Sequence, residues 1–203
     1  MKEKVRSKMK EQVRSTSWSF KLDPVNSYAY YLKAFSPEQC EKIIKIGKNK
    51  ILKRATVFAP EMNKIRNSEI SWLFPDDDLV EVFQKITDII LELNEKFFGF
   101  NLSGITEGLQ FTNYSAPTGN YGKHVDRALD FTVRKLSMSI QLSDPTLYRG
   151  GDLLLHEGEE GTPMPKEQGT LILFPSYTLH EITPIIEGER NSLVTWLTGE
   201  PFK

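Results

Sequence analysis

The chain has 203 residues, and its 26 basic and 27 acidic side chains leave a formal net charge of −1, which argues against a nucleic-acid partner held by bulk charge. Its single cysteine excludes an intramolecular disulfide and favours a reducing, cytoplasmic setting. The chain contains no run of about 18 apolar residues, so we expect no membrane span. Its first residues are charged and lack the apolar core of a secretory signal.

The start of the chain is rich in charge and poor in apolar side chains. We therefore expect residues 1–26 to form an N-terminal arm that can be flexible, followed by a single domain over residues 27–203. The aromatic run 27–35 predicts a strand. Ser36 then begins a helix signature, with proline at the first helical position and Gln39 completing a capping box. Cys40 falls on the apolar face of this helix, so we expect a buried thiol and not a nucleophile.

Residues 75–100 carry the strongest helical pattern in the chain. Apolar residues recur there at spacings of three and four, after three aspartates that suit the positive end of a helix. Such a face needs a large apolar partner, and a sheet is the natural one.

From about residue 105 the period changes to short β-like runs separated by Gly, Pro, Asp and Ser. These runs fall near residues 108–115, 135–143, 151–158, 169–176, 180–186 and 191–199. No long helical pattern separates them, which favours an antiparallel sandwich or barrel over a parallel sheet. We predict an α+β protein in which N-terminal helices buttress a β barrel.

The stretch "YGKHVDRALDF" contains a histidine, His124, two residues before an acid, Asp126. Alternate residues of a strand point to the same face, so this pair can direct an imidazole and a carboxylate to one point. A second histidine from a neighbouring strand would complete the set of two histidines and one carboxylate that suits Fe(II) and leaves coordination positions open.

Two histidines remain to complete such a set. His180 follows an apolar strand and a turn, whereas His156 directly follows "DLLL" and is better explained as a residue at the rim of the barrel. Ten residues after His180 comes Arg190, a permanent cation with the fork geometry that binds a carboxylate. Ser192 would point the same way and could add a hydroxyl. A zinc hydrolase is disfavoured, because it would leave Arg190 without a role and the chain lacks a zinc-protease helix motif.

Three segments resemble the Fe(II)/2-oxoglutarate-dependent dioxygenases, and most closely the prolyl 4-hydroxylase branch with its PKHD-type hydroxylases. They are "EGLQFTNYSAPTGNYGKHVD", "KLSMSIQLSDPTLYRGGDLLL" and "GTLILFPSYTLHEITPIIEGERNSLVTWL". The likeness is dense over residues 105–198 and looser at "FSPEQCEKII" and "IRNSEISWL". It implies a distorted double-stranded β-helix, or jelly roll, as the barrel.

The resemblance also implies roles for individual residues. His124, Asp126 and His180 would be the catalytic iron ligands. Arg190 would pair with the C5 carboxylate of 2-oxoglutarate, assisted by Ser192 and by one of two tyrosines. These tyrosines are Tyr114, which fits the motif less closely because its gap to the first ligand is longer than usual, and Tyr121 as its substitute.

The remaining implied positions concern the primary substrate and the cosubstrates. Arg66 of "IRNS" and Trp196 of the last strand would face the substrate. The implied cofactors are Fe(II), 2-oxoglutarate and O2, with ascorbate as an optional reductant, and the reaction is hydroxylation of a C–H bond with release of succinate and CO2. Peptidyl proline, another peptide or protein, and a small molecule all stay open as substrates. Neutral histidines are required for ligation, so metal affinity should weaken at low pH.

A second hypothesis from a different class is a sensor or interaction module that keeps the fold and its metal or 2-oxoglutarate but turns over nothing. The intact set of His124, Asp126 and His180 favours the dioxygenase, and uncoupled succinate formation would separate the two hypotheses. The sequence leaves the oligomeric state open.

Overall fold

A computed structural model of the chain describes residues 5–7, 25–50, 53–54, 65–76, 78–126 and 133–201. Most of the expected N-terminal arm, residues 1–26, lies outside these ranges. Within them no helix is both long enough and apolar enough to cross a membrane.

The described residues form two α-helices, one short 3-10 helix over Pro145–Leu147 and fifteen strands. The α-helices are α1, Pro37–Asn49, and α2, Val80–Phe97. The strands are β1 Val5–Ser7, β2 Ala29–Tyr31, β3 Lys53–Arg54, β4 Arg66–Asn67, β5 Glu69–Leu73, β6 Leu102–Ile105, β7 Leu109–Ser115, β8 Asn120–His124, β9 Val133–Gln141, β10 Tyr148–Gly150, β11 Leu153–His156, β12 Gly161–Pro163, β13 Leu171–Pro175, β14 Leu179–Ile182 and β15 Ile185–Gly199.

Helix α1 begins where the sequence predicts. The Ser36 side chain accepts a hydrogen bond from the Gln39 backbone N–H, and the Gln39 side chain accepts one from the Ser36 backbone N–H. This reciprocal pair satisfies two N–H groups that the first helical turn leaves unpaired. Cys40 is fully buried, and burial raises the pKa of its thiol to about 12. The expectation of an inert core cysteine is therefore confirmed.

Helix α2 is confirmed, but it begins later than its aspartates suggest. Leu79 is its N-cap residue, and the acidic residue in its first turn is Glu81. The backbone carbonyl of Asp76 accepts hydrogen bonds from the N–H groups of Leu79 and Val80, which makes a turn ahead of the helix. The buried face of α2 packs into the main apolar core with the inner side of α1 and the sheet.

The strands form two antiparallel sheets. The larger sheet has ten strands in the order β1-β2-β13-β9-β15-β7-β5-β3, with β10 and β6 also paired to β15. The smaller sheet has the order β12-β11-β14-β8-β4. Each β run predicted from the sequence overlaps one of these strands, and the α+β double-stranded β-helix is confirmed.

This topology leaves two apolar clusters on opposite sides of the larger sheet. One lies between that sheet and the helices. The other includes residues of both sheets, among them Tyr114, Tyr148, Leu153, Leu155, Ile172, Phe174, Ile182 and Ile185. Because side chains alternate along a strand, every second residue of β7, β9 and β15 faces this second, inner space.

Candidate metal centre

The structure brings together the three residues proposed as metal ligands. His124 ends β8 and lies directly opposite His180 of β14 in the antiparallel register. Asp126 follows β8, and its backbone N–H donates to the carbonyl of Ser176 in the turn before β14, at 2.9 Å. Potential ligand atoms of His124, Asp126 and His180 lie within 4.8 Å of one another.

Both histidines present the correct nitrogen to the space between them. The Nδ1 of His124 lies 2.8 Å from the Gly122 carbonyl, and the Nδ1 of His180 lies 2.9 Å from the Thr178 carbonyl. A carbonyl can only accept, so each Nδ1 carries a proton, and when the ring is neutral each Nε2 has its lone pair free for a metal. The two Nε2 atoms lie 3.6 Å and 3.4 Å from the Asp126 carboxylate oxygens. These residues therefore fit a divalent metal that takes nitrogen and oxygen ligands.

The three ligands influence one another's ionisation. Burial disfavours the charge on Asp126, but the charge of His180 and hydrogen bonds from both histidines outweigh burial and hold the pKa of Asp126 well below 3.8. Burial lowers the pKa of His124, an effect that Asp126 offsets only in part. Burial also acts to lower the pKa of His180, but the neighbouring Asp126 charge raises it above 6.5. The centre thus presents an anionic carboxylate to a cation.

Ser137 was not anticipated from the sequence, although it contacts a ligand. Its hydroxyl donates to Oδ2 of Asp126 at 2.8 Å, and the residue is 1% exposed. The available signal was the polar alternation of Ser137, Ser139 and Gln141 in an otherwise apolar strand, β9. Such a pattern indicates polar groups on the inner face of a sheet.

Arg190 lies on β15 of the larger sheet and is the largest of the fully buried side chains, at 1% exposure. Its Nη2 donates to Oε1 of Gln141 at 2.8 Å, and its Nη1 donates to the Ser192 hydroxyl at 3.3 Å. Its Nε has no hydrogen-bond partner. Among the described residues no carboxylate forms an ion pair with it. A buried cation without a counter-ion is costly, so this side chain fits a site for an acidic ligand.

Aromatic side chains surround this guanidinium. The ring of Tyr114, the cross-strand partner of Arg190, lies 5.5 Å from its Cζ. Burial raises the pKa of Tyr148, while the charge of Arg190 and a hydrogen bond between the two act in the opposite direction. The sequence does not predict that Tyr148 lies beside Arg190, because this tyrosine is in a short strand after a turn, where the sequence shows no clear period.

Tyr121, the alternative to Tyr114, lies in a different place. Its ring stacks on that of His124, with centroids 3.4 Å apart and an interplanar angle of 15°. Burial raises its pKa to about 12, although Arg66 and Arg134 act to lower it. The Arg66 guanidinium covers the Tyr121 ring at 4.6 Å. Tyr114 therefore adjoins Arg190, whereas Tyr121 and Arg66 adjoin the metal ligands.

Trp196 lies on the same inner face of β15 and is buried. It pairs with Ser137 in the register of β15 and β9, and its indole Nε1 has no hydrogen-bond partner. The Trp72 ring is 6.3 Å away, and the Arg134 guanidinium covers Trp196 at 3.8 Å. Arg134 also donates from Nη1 to the Asp126 backbone carbonyl at 3.0 Å. Trp196 thus forms part of the wall beside the metal ligands.

His156, the other histidine considered as a ligand, is absent from the cluster. Its Nε2 lies 2.9 Å from Oε1 of Glu181, and its Nδ1 has no partner. Glu181 neighbours the ligand His180 in β14, and adjacent side chains of a strand point to opposite faces. His156 and Glu181 therefore lie on the side of the smaller sheet opposite the candidate metal centre.

Comparison with known proteins agrees with this geometry. Residues 109–198, which contain all three ligands and Arg190, match the model of the 2OG-Fe(II) oxygenase superfamily. The part of the chain that carries the site is thus similar to members of that superfamily.

The particular relatives are PKHD-type hydroxylases, as the sequence resemblance implied. One from Nitrosomonas europaea is 34% identical over 89 residues, which cover 39% of this chain and 38% of that protein. One from Alteromonas mediterranea is 34% identical over 94 residues, which cover 43% of this chain and 41% of that protein. The aligned region thus spans less than half the length of these curated relatives.

Solved structures share the fold over most of the chain. A Pseudomonas putida prolyl-4-hydroxylase has a TM-score of 0.66 at 20% identity and covers 86% of this chain and 94% of its own. A Trichoplax adhaerens prolyl hydroxylase in complex with a hypoxia inducible factor peptide fragment has a TM-score of 0.70 at 15% identity, covering 85% and 84%. These likenesses confirm the double-stranded β-helix.

Proposed function

We propose that this chain is an Fe(II)- and 2-oxoglutarate-dependent dioxygenase that hydroxylates a C–H bond and releases succinate and CO2. One observation carries the proposal. Two histidines and a carboxylate converge on the inner side of one sheet, while a buried arginine that has no carboxylate partner among the described residues lies on the facing sheet. Bound Fe(II) with 2-oxoglutarate supplies the oxidising chemistry that activates O2.

Different residues would bind the iron and the 2-oxoglutarate. His124, Asp126 and His180 would hold the iron and leave positions open for cosubstrates. Arg190, with Tyr114, Tyr148 and Ser192 around it, would bind the distal carboxylate of 2-oxoglutarate. The apolar side chains of the inner cluster exclude water from the space between these two groups.

We further propose a peptide substrate, with peptidyl proline as the first to test. The support is that the structural neighbours include prolyl hydroxylases, one of them bound to a peptide fragment. Arg66 and Trp196 flank the metal ligands and would face this substrate. Ascorbate would serve as reductant, and the buried, free Cys40 fits a cytoplasmic location.

The test is succinate formation from 2-oxoglutarate by the purified chain with Fe(II) and ascorbate, because uncoupled turnover needs no knowledge of the substrate. His124→Ala and His180→Ala should abolish metal binding. Arg190→Gln should leave metal binding intact and raise the KM for 2-oxoglutarate about 10- to 100-fold, because charge-assisted hydrogen bonds are lost. Peptides with a central proline are then screened for a product heavier by one oxygen atom.

The chain offers a matched histidine control. His156→Gln removes the third histidine, which lies outside the metal cluster, and should bind metal with unchanged affinity. If the wild-type chain binds iron and 2-oxoglutarate but forms no succinate, the sensor or interaction module is the better description. If it binds neither, the dioxygenase proposal is wrong.

A further inference from the structure

Three arginines surround the metal centre in the described part of the chain, and they differ in their counter-ions. Arg134 is neutralised by Glu107, whose carboxylate accepts from its Nε at 2.7 Å and also from its Nη2. Arg190 has no carboxylate partner in the part of the chain that the structure describes, and the proposed function assigns it to 2-oxoglutarate. Arg66 also has none among the described residues. Among these three described arginines, Arg66 is therefore the one that remains after Glu107 and the cosubstrate are accounted for.

Arg66 is held firmly beside the metal ligands. It is the cross-strand partner of Tyr121 and lies over that ring at 4.6 Å, and the same ring stacks on the imidazole of His124. Its Nε donates to the Ser68 hydroxyl at 2.9 Å and its Nη2 to Oε1 of Gln110 at 2.8 Å. These contacts fix the plane of the guanidinium and leave Nη1 without a hydrogen bond to any described residue.

The partner that holds Arg66 is a neutral amide where a carboxylate would fit. Gln110 is buried on the inner face of β7, and glutamate has the same shape with a negative charge. An arginine that served only to brace the strand would be better stabilised by a carboxylate at this position, because a paired, partly buried charge costs less than an unpaired one. The neutral amide orients the guanidinium without satisfying its charge.

We propose that the primary substrate is anionic, and that Arg66 binds a carboxylate of the substrate close to the C–H bond that is oxidised. This inference rests on the proposed function and names the substrate class of the same site. The carboxylate can belong to a glutamate or aspartate of a peptide or to a free amino acid, and Gln110 is the residue that keeps Arg66 available for it.

The test is a binding selection that needs no turnover. The full chain, loaded with Mn(II) and 2-oxoglutarate without oxygen, is offered a random-sequence synthetic peptide library, and retained peptides are sequenced by mass spectrometry. In a second arm, free L-amino acids are compared with their amides by calorimetry, beginning with L-proline and L-prolinamide. We expect acids to be enriched, or to bind roughly tenfold more tightly, in one of the two arms. The arm that responds identifies the source of the carboxylate.

Two substitutions test whether the preference for acids depends on Arg66. Gln110→Glu preserves shape and supplies an internal carboxylate, so the preference for acids should disappear while neutral ligands bind as before. Arg66→Gln removes the cation and should abolish the same preference. The matched control is Arg149→Gln, an arginine with 64% side-chain exposure that is paired with Glu187 on the surface, and it should keep the preference.

The inference is tested first by the binding preference of the wild-type chain. An absence of acid enrichment in both arms, including an absence of any retained ligand, overturns the inference. Enrichment that persists in Gln110→Glu and Arg66→Gln also overturns it, because the acid is then bound elsewhere. The dioxygenase proposal is tested separately by uncoupled succinate formation, so the two can fail independently.

Discussion

At the scale of single residues, Ser137 is the contact that most directly controls a metal ligand. Its hydroxyl holds one oxygen of Asp126 at 2.8 Å, which orients the carboxylate toward His124 and His180. Partners of metal ligands usually matter almost as much as the ligands themselves. A buried carboxylate that loses this bond would be free to rotate away from the ion.

We therefore predict that Ser137→Ala weakens Mn(II) or Fe(II) affinity about tenfold or more, with Ser137→Thr retaining most of it. Metal titration followed by calorimetry measures the change. Ser139→Ala is the matched control, since Ser139 lies two residues along the same face of β9 and, among the described residues, it is Ser137 whose hydroxyl donates to Asp126. Equal losses in Ser137→Ala and Ser139→Ala would show a general weakening of the strand and contradict the specific role.

The ionisation of His180 predicts the pH dependence of metal binding. Burial acts against the protonated ring, but the Asp126 charge outweighs it and raises the His180 pKa above 6.5 in the metal-free protein. As pH falls through that raised value, protons compete with metal for Nε2, so affinity must fall with decreasing pH. The His124 pKa is lowered by burial, so this ring stays neutral over the same range.

Mn(II) affinity should accordingly be constant at high pH and then decline about tenfold per pH unit once His180 begins to protonate. Binding titrations between about pH 8 and pH 6 measure this. An affinity that stays flat across the range would contradict ligation by His180.

At the scale of elements, α1 is joined to the larger sheet by a close contact at one glycine. A Cβ at Gly47 would overlap the Phe111 ring of β7, and the Gly47 carbonyl accepts a hydrogen bond from the Ser71 hydroxyl of β5 at 2.8 Å. The helix therefore cannot move outward without breaking that bond. Close approach, and not a turn, explains glycine inside this helix.

Gly47→Ala should therefore destabilise the protein, even though alanine favours a helix by about 1 kcal/mol over glycine. Overpacking against a fully buried ring costs about 1–3 kcal/mol and should outweigh the gain in helix propensity. Urea unfolding measures the free energy, and Phe111→Leu in the same chain should restore part of the loss. A more stable Gly47→Ala protein would show that the contact is loose.

Local signals explain which elements could be predicted. The capping box at Ser36 acts within one helical turn, and the apolar period of α2 is long, so both helices were predicted. The short strands β4, β10 and β12 were not, because two or three residues carry no measurable period. The three aspartates suggest an earlier start for α2 than Val80, because they do not reveal that the Asp76 carbonyl forms a turn ahead of the helix.

At the scale of the whole molecule, the site depends on pairings that local pattern does not encode. The triad could be proposed from the order of His124, Asp126 and His180, but their convergence needs the β8–β14 register. The sequence leaves open which tyrosine adjoins Arg190, because the gap between Tyr114 and His124 is longer than the usual pattern. The β7–β15 register places Tyr114 there. Local pattern also does not predict counter-ions. Arg134 is paired with Glu107, which lies 27 positions away in the sequence.

The two halves of the site lie on opposite sheets, which predicts coupling between its ligands. His124 and His180 belong to the smaller sheet and Asp126 follows its strand β8, whereas Arg190 belongs to the larger sheet. A ligand that reaches both would hold the two sheets together, and each bound species should favour binding of the other.

We predict that Mn(II) and 2-oxoglutarate together raise the melting temperature by more than the sum of their separate shifts. At about 100 times its dissociation constant, a ligand stabilises the folded state by about 2.7 kcal/mol, which corresponds to several degrees for a chain of this size. Arg190→Gln should keep the metal shift and lose the added shift from 2-oxoglutarate, whereas His180→Ala should lose both. Differential scanning fluorimetry with each ligand alone and with both measures these shifts. Strictly additive shifts in the wild-type protein would mean that the two ligands bind independently, which a shared site between the sheets does not allow.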